Sequence, residues 1–228
     1  MSRKTPEFVD GQICCFSPKQ EDDGVDGNKW ETPPAVIAAA HQIGSNGEHI
    51  AKQVAGMLGL PIYDRQVLQF VAQHTNLDVD ESDKTKKGLL EKHISSLSRQ
   101  KNLYQDEYGK ALTRAVVALW ERGPCVLVGH GCIHVVPRDY SLAVHLVASE
   151  EFRIRTMAER LGVPLEEAQQ VVVRTDDERA LFHKLHFGAH VDNPLEYDLT
   201  IDTTGFTVEA CATVIITAMR SKFKNLSA

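Results

Sequence analysis

The chain has 228 residues, a formal net charge of −6, 43% hydrophobic residues and 25% charged residues. This composition is ordinary for one compact α/β domain with a sizeable core, whereas the acidic balance argues against a nucleic acid polymer as partner. The five cysteines form neither a paired framework nor a CxxC zinc pattern, so a reducing compartment is expected. No apolar run reaches the roughly 20 residues that span a bilayer. We therefore expect a cytoplasmic protein with no membrane partner.

The first 34 residues are polar and acidic and end in Pro33-Pro34, just before the first apolar run. Such a segment has little to bury on folding. The sequence therefore predicts a flexible acidic N-terminal tail over residues 1–34, followed by a single domain over residues 35–228.

Hydrophobic periodicity and turn residues predict an alternation of strands and helices along the domain. Strands are predicted at 35–40, 61–63, 125–128, 142–148 and 197–201, and helices at 47–58, 104–122, 150–161, 165–187 and 208–223. Another helix is predicted to begin at Asp64, followed by an acidic loop and a charged, helical excursion at 84–100. This order indicates a parallel sheet covered on both faces, and ligands of such sheets bind at the carboxyl ends of the strands.

The turn of residues 41–48, HQIGSNGE, joins the first strand to the first helix. Glycines there let backbone N–H groups approach an anion, and the helix dipole adds attraction. The usual phosphate-loop pattern G-x-x-x-x-G-K-[ST] would need Gly at Gln42, Lys at Glu48 and Ser or Thr at His49, so only Gly47 fits. Glu48 would repel a triphosphate, and other cations must compensate. The alternative is that the glycines serve only the turn and close packing.

Polar groups or glycines follow three further predicted strands: Asp64-Arg65, Gly129-His130-Gly131 and Asp202-Thr203-Thr204. The helix predicted at 165–187 adds Arg174 and Arg179. Phosphoryl transfer relies on cations that stabilise charge on the transferred group, which arginines on a closable helix pair would supply. The alternative for both arginines is exposed ion pairs with Asp176, Asp177 and Glu178, which contribute little.

The chain contains ten histidines, which raises the question of a metal site. The candidates His41, His49, His130, His134 and His145 do not form a recognised ligand spacing. We expect most of them to be surface or turn residues, and we predict no metal site made of them.

Four segments, in order and spacing, resemble the cytidylate kinase-like family of nucleoside monophosphate kinases over about residues 36–219. They are GSNG with Ile50-Ala51, LGLPIYDR at 58–65, GPCVLVGHG at 123–131 and YDLTIDTT at 197–204. The resemblance implies a P-loop kinase-like three-layer α/β fold, in which helices flank a parallel sheet. It also implies a monophosphate-binding insertion at about 76–115 and a lid at about 165–190, on or near which His183 and His186 would lie.

The resemblance also implies roles for individual residues. Arg174 and Arg179 match lid arginines that would clamp the transferring phosphate, and Asp64 would orient the acceptor nucleotide or the metal, with Arg65, Gly129 and His130 also on the acceptor side. The ATP triphosphate would lie on Gly44, Ser45, Asn46, Gly47, Glu48 and His49. Two positions depart from the family, because Glu48 stands where lysine is usual in phosphate loops and His130 stands where members commonly have arginine, the better phosphate ligand.

The expected activity is ATP-dependent, Mg²⁺-assisted phosphoryl transfer to a nucleoside monophosphate, with CMP or dCMP as the first candidate acceptors. The alternative is a catalytically degenerate kinase-like domain that binds a nucleotide or a protein partner, because one architecture hosts unrelated functions. A homo-oligomer is compatible with the sequence.

Overall fold

The computed structural model describes residues 35–64, 66, 107–120 and 122–223. The predicted N-terminal tail, Arg65 and most of the predicted insertion at 76–115 lie outside these ranges. The description below refers to the described residues alone.

Strands and helices alternate along the described chain, and the observed bounds lie within a few residues of those predicted. The strands are β1 (Val36–His41), β2 (Ile62–Tyr63), β3 (Val126–Val128), β4 (Ser141–Val147) and β5 (Leu199–Asp202). The α-helices are α1 (Gly47–Leu58), α2 (Glu107–Trp120), α3 (Cys132–Val135), α4 (Glu150–Leu161), α5 (Leu165–Phe187) and α6 (Val208–Lys222), and a 3₁₀ turn spans Pro194–Glu196.

The five strands form one sheet in the order β2-β3-β1-β4-β5, and every pairing is parallel. Strand β1 is central, with Ala39 in register with Val128 of β3 and with Val144 of β4. Because the carboxyl ends of parallel strands meet at one edge, residues 41–48, called the β1–α1 turn below, lie in the middle of that edge.

Helices cover both faces of the sheet, because the strands are apolar on both sides. On one face, alternate β1 residues such as Val36 and Ala38 pack with α2 and α3. On the other face, Ile37 packs with α1 and α6. The three-layer arrangement of helices and parallel sheet predicted from the sequence is therefore confirmed.

Helices α4 and α5 pack against each other through a small core of their own. Met157 of α4 and Ala168 and Val172 of α5 are its buried members, and Ile43 of the β1–α1 turn packs against them. The turn is thus in contact with the helix pair that carries the predicted lid arginines.

Helix α5 has 23 residues but is polar along most of its length. Of the helices in the described ranges, none is long and apolar enough to cross a membrane. The last strand begins at Leu199 rather than at Tyr197, because Pro194–Glu196 form a 3₁₀ turn and the Tyr197 ring stacks on His145 of β4.

Candidate functional site

Two glycines of the β1–α1 turn are fixed by close contacts. Gly44 has φ +77°, and a Cβ there would lie 2.6 Å from the carbonyl oxygen of Arg153. A Cβ on Gly47 would lie 2.3 Å from the Cβ of His41. Both distances are shorter than any normal contact, so close packing alone accounts for these glycines. Their role in the turn is confirmed, and the argument for an anion site must come from other features.

The N-terminus of α1 provides the argument for an anion site. Asn46, the residue before the helix, has φ 60° and its side chain makes no capping hydrogen bond, while its carbonyl oxygen accepts the Ile50 N–H at 3.0 Å. The first N–H groups of a helix have no acceptor inside the helix and carry the positive end of its dipole. The 12-residue helix α1 therefore presents donors suited to a phosphate group at the centre of the sheet edge.

The side chain of Ser45 shapes the turn from inside. Ser45 is fully buried, and its hydroxyl donates to the Gln42 carbonyl oxygen at 2.8 Å. The Ser45 carbonyl oxygen accepts a hydrogen bond from the Thr203 hydroxyl at 2.9 Å. The Gln42 side chain in turn accepts the Ala148 N–H at 3.1 Å. Gln42 belongs to the turn, and Thr203 is among the polar residues predicted at strand ends, but the sequence gives neither residue a specific role in the site.

The carboxylate of Glu48 is paired with a cation that is not evident from the sequence. Arg160 of α4 lies 3.4 Å from the Glu48 carboxylate, and both side chains are about half exposed. Such a pair is weak and screened by salt. His49, which follows Glu48 in α1, is exposed.

The two predicted lid arginines lie on different faces of α5. Arg179 donates a hydrogen bond to the carbonyl oxygen of His41, at the start of the β1–α1 turn. Arg174 is exposed and lines a surface groove together with Glu166, Gln169, Gln170, Val173, Asp177, Glu178 and Leu181. Five residues correspond to about 140° around a helix. The structure thus brings Arg179 to the turn and places Arg174 on another face of α5.

Arg153 of α4 is a further charged residue beside the turn. It is only 7% exposed, and its Nη1 lies 2.6 Å from a carboxylate oxygen of Asp176 on α5. Burial and pairing distinguish it from Arg155 of the same helix, which makes an exposed pair with Glu151. The sequence does not mark Arg153, because the many charged residues of α4 predict that all of its charged side chains are exposed.

His49 is exposed and His41 and His130 lie in turns, as expected, whereas His145 is buried in β4. His145 is 4% exposed and stacks on the Tyr197 ring with centroids 4.4 Å apart. Burial, together with the nearby Arg179 guanidinium, lowers the pKa of His41 to about 4. The expectation is wrong for His145 because a neutral imidazole can be buried by stacking on another ring.

A pair of histidines connects α3 to α5. The Nε2 atom of His134 and the Nδ1 atom of His183 are 3.1 Å apart, and His134 also stacks on Phe187 at 4.7 Å. Burial is the main cause that lowers the pKa of His134 to about 3 and that of His183 to about 4. Both rings are therefore neutral at pH 7. Among the described residues, no three His, Cys, Asp or Glu side chains converge as a metal site.

The predicted acceptor-side residues Asp64, Gly129 and His130 lie on the β2 and β3 side of the turn. Gly129 follows β3 with φ +78°, and its N–H donates to the Ala39 carbonyl oxygen at 2.8 Å. His130 also has a positive φ of 49° and makes an edge contact with Phe182 of α5, with ring centroids 5.5 Å apart. Gly129 and His130 therefore lie between the central strand and α5.

Asp64 follows β2, which is two strands from β1. At the usual strand spacing this is roughly 10 Å across the sheet edge. One Asp64 carboxylate oxygen accepts the Gln66 N–H at 2.9 Å. Arg65 lies outside the described residues.

Comparisons with known proteins agree with this architecture. The sequence profile of the cytidylate kinase-like family matches residues 36–205. A protein of Pyrobaculum arsenaticum named cytidylate kinase is 28% identical over 173 residues, which cover 76% of this chain and 86% of the relative. A protein of the same name from Pyrobaculum calidifontis is 27% identical over 197 residues, covering 82% of this chain and 96% of the relative.

One solved structure has the same fold. The crystal structure of a protein from Eubacterium ventriosum has a TM-score of 0.64 at 20% sequence identity, and the match covers 82% of this chain and 98% of that chain. The sheet order, the β1–α1 turn and the family match over three quarters of the sequence all agree. The chain belongs to the cytidylate kinase-like family.

Proposed function

We propose that the protein transfers a phosphoryl group from ATP to a nucleoside monophosphate, with CMP or dCMP as the first candidate acceptors. One observation carries the proposal: Arg179 reaches from α5 to the carbonyl oxygen of His41, where the β1–α1 turn begins. A cation is thereby held next to a helix N-terminus suited to phosphate. The names of the Pyrobaculum relatives support the choice of acceptor.

We assign the triphosphate to the β1–α1 turn. The backbone from Gly44 to His49 runs from the turn into the first residues of α1, and the N–H groups at the start of the helix are the donors we assign to the phosphates. The hydroxyl and the N–H of Ser45 both donate to the Gln42 carbonyl oxygen, so we assign Ser45 the role of shaping the turn. The proposal therefore predicts that phosphate is held by main-chain donors and that side-chain identity in the turn matters mainly for its shape.

Magnesium, when bound, would supply charge neutralisation for the phosphates. Phosphate oxygens and water would supply most of its ligands, because among the described residues no cluster of protein ligands is present. We assign Asp64, at the end of β2, as the candidate carboxylate on that side. The partial pairing of Glu48 with Arg160 reduces the repulsion between Glu48 and the phosphates.

We assign the transition-state contact to Arg179. Its guanidinium would exchange the His41 carbonyl oxygen for the oxygens of the transferred phosphoryl group, where charge increases during the reaction. Arg174 stays a predicted second clamp that acts from the other face of α5. On the acceptor side, Gly129, His130 and Arg65 stay predictions, as does a cytoplasmic location.

An ADP-release assay with ATP, Mg²⁺ and a panel of CMP, dCMP, UMP and AMP tests the proposal. Acceptor-dependent ADP formation is expected, and Arg179→Ala should lower kcat about 100-fold or more, because arginines that stabilise transferred charge contribute about 10³-fold or more in related chemistry. The matched control is Arg155→Ala, which removes an exposed arginine of the neighbouring helix and should leave kcat unchanged.

The competing function is nucleotide or protein binding without catalysis. Glu48 at the helix N-terminus is the feature that favours it. Saturable ATP binding by calorimetry, with no ADP formed from any acceptor in the panel, would replace the kinase proposal with this one.

A further inference from the structure

Arg153 connects the β1–α1 turn to the helix that carries Arg179. We propose that Arg153 is a positioning residue for phosphoryl transfer: its backbone packs against the turn, and its side chain fixes the rotation of α5. This inference rests on the proposed kinase function for its kinetic readout but has a structural readout of its own.

The first contact is with the turn. The Arg153 backbone lies so close to Gly44 that a Cβ there would be 2.6 Å from its carbonyl oxygen and 2.9 Å from its Cα. The adjacent residue Ile43 packs against the α4–α5 core that contains Met157. The position of α4 therefore determines where the turn can lie.

The second contact is with α5. The Arg153 guanidinium pairs with Asp176 at 2.6 Å, and Asp176 lies two residues after Arg174 and three before Arg179. Since the helix is rigid over such a short span, holding Asp176 fixes the direction in which Arg179 points. The pair is shielded, with the Arg153 side chain 9% exposed and that of Asp176 32% exposed.

The choice of arginine at this buried position needs an explanation. A buried ion pair gives little net stability compared with well-packed apolar residues, and a methionine could fill the space between two helices. Moreover, the Nε atom of Arg153 is buried and has no hydrogen-bond partner among the described residues. Desolvating this ion pair costs free energy that is not regained as stability. We expect such a directional contact where the orientation of side chains matters for the reaction.

The alternative is that Arg153 only stabilises the α4–α5 contact. That alternative predicts a lower thermal midpoint with normal kinetics below it. The positioning role predicts a lower kcat in folded protein, because the transition state is sensitive to a displacement of about 1 Å in a clamping residue.

The experiment compares Arg153→Gln, Arg153→Lys, Asp176→Asn and the control Arg155→Gln in the full-length protein. We measure kcat and KM for ATP at a temperature well below every unfolding midpoint, and backbone amide hydrogen exchange of residues 174–182 by mass spectrometry. We expect Arg153→Gln and Asp176→Asn to lower kcat about tenfold or more with KM for ATP changed less than about threefold. Arg153→Lys should recover part of kcat, and Arg155→Gln should match the wild type.

The exchange measurement separates the two proposals. Faster exchange across 174–182 in Arg153→Gln and Asp176→Asn, but not in Arg155→Gln, supports the Arg153–Asp176 pair as the link that holds α5. This result counts whether or not the wild type phosphorylates an acceptor. Wild-type turnover with kcat in Arg153→Gln and Asp176→Asn within twofold of it overturns the inference and leaves the kinase proposal intact. If no acceptor is phosphorylated by the wild type, the kinase proposal fails, and unchanged exchange in both variants then overturns the link as well.

Discussion

The hydroxyl of Thr203 donates to the carbonyl oxygen of Ser45 at 2.9 Å, across 158 positions of sequence. It lies 3.1 Å from the Val147 carbonyl oxygen as well, so one side chain contacts the ends of two other structural segments. Both Thr203 and Ser45 are buried. The end of β5 therefore determines the depth of the β1–α1 turn in the sheet edge.

This contact predicts that Thr203→Val destabilises the protein and weakens ATP binding. The variant keeps the shape of the side chain but leaves the buried Ser45 carbonyl oxygen without its donor, which costs about 1 to 3 kcal/mol. Thr203→Ser keeps the hydroxyl and is the matched control. Urea unfolding and calorimetric ATP titration check both effects, and equal values for the two variants would contradict the assignment.

The close approach at Gly44 predicts a large effect of a single methyl group. Gly44→Ala adds a Cβ against the backbone of Arg153 at φ +77°, where neither partner can yield easily. We expect a loss of about 2 kcal/mol or more in the free energy of unfolding and severely impaired ATP binding.

Gly56→Ala is the control for Gly44→Ala. Gly56 lies within α1 and a Cβ there meets no atom within 4 Å, so the substitution should stabilise the helix by roughly 0.5 to 1 kcal/mol. Denaturant unfolding of both variants checks the pair, and similar behaviour at the two positions would contradict the packing argument.

The charge of Glu48 should oppose nucleotide binding. Glu48→Gln removes a carboxylate from the first turn of α1, and the lost repulsion of about 1 kcal/mol at 4 Å in water predicts a KM for ATP lower by up to about fivefold. The free energy of unfolding should change by less than about 1 kcal/mol, because the pair with Arg160 is exposed. Steady-state kinetics at two ionic strengths check this, with Glu151→Gln as control; a higher KM would contradict it.

Acidification should destabilise the protein through its buried histidines. The pKa of His183 is lowered to about 4 and that of His134 to about 3, so the unfolded chain, with pKa values near 6.5, binds protons first as the pH falls. The stability contributed by each neutral ring is complete above about pH 6.5 and is lost progressively down to its folded pKa. We expect a loss of about 1 kcal/mol per histidine between pH 7 and 5.5.

Urea unfolding across this pH range checks the expectation. His183→Gln should have a flatter pH dependence than the wild type, because one of the rings with a lowered pKa is gone. His49→Gln, at an exposed position of α1, should reproduce the wild-type profile. A wild-type stability that does not change between pH 7 and 5.5 would contradict the burial argument.

Local sequence signals were sufficient for most elements of the fold. The helix predicted at 150–161 is observed with those bounds, because Ser149 caps it by accepting the Phe152 N–H and Gly162 ends it in the left-handed conformation. The long helix predicted at 165–187 ends similarly at Gly188. Capping and periodicity depend on neighbours within a few residues, so they can be read without the fold.

The candidate site was predictable only in part. The position of the β1–α1 turn follows from the strand and helix that flank it, but the Thr203–Ser45 contact and the Arg153–Asp176 pair join distant parts of the chain, and no local pattern marks them. The directions of Arg174 and Arg179 were within reach, because a spacing of five residues separates two side chains around a helix. The burial of His145 was not, since it depends on stacking against Tyr197, which lies just before β5 and is separated from β4 by two helices.

The length of α5 has a mechanical consequence. At 1.5 Å per residue, its 23 residues form a rod about 35 Å long, and its carboxyl end is held by the buried residues His183 and Phe187. A rotation of about 10° around that end would move Arg179 by only about 2 Å, and the opposite end near Leu165 by about 6 Å. Because Ala168 and Val172 pack against α4, such a tilt would carry α4 along with α5. Arg179 would then move a short distance from the His41 carbonyl oxygen, and the region near Leu165 would move far enough for fluorescent labels to detect.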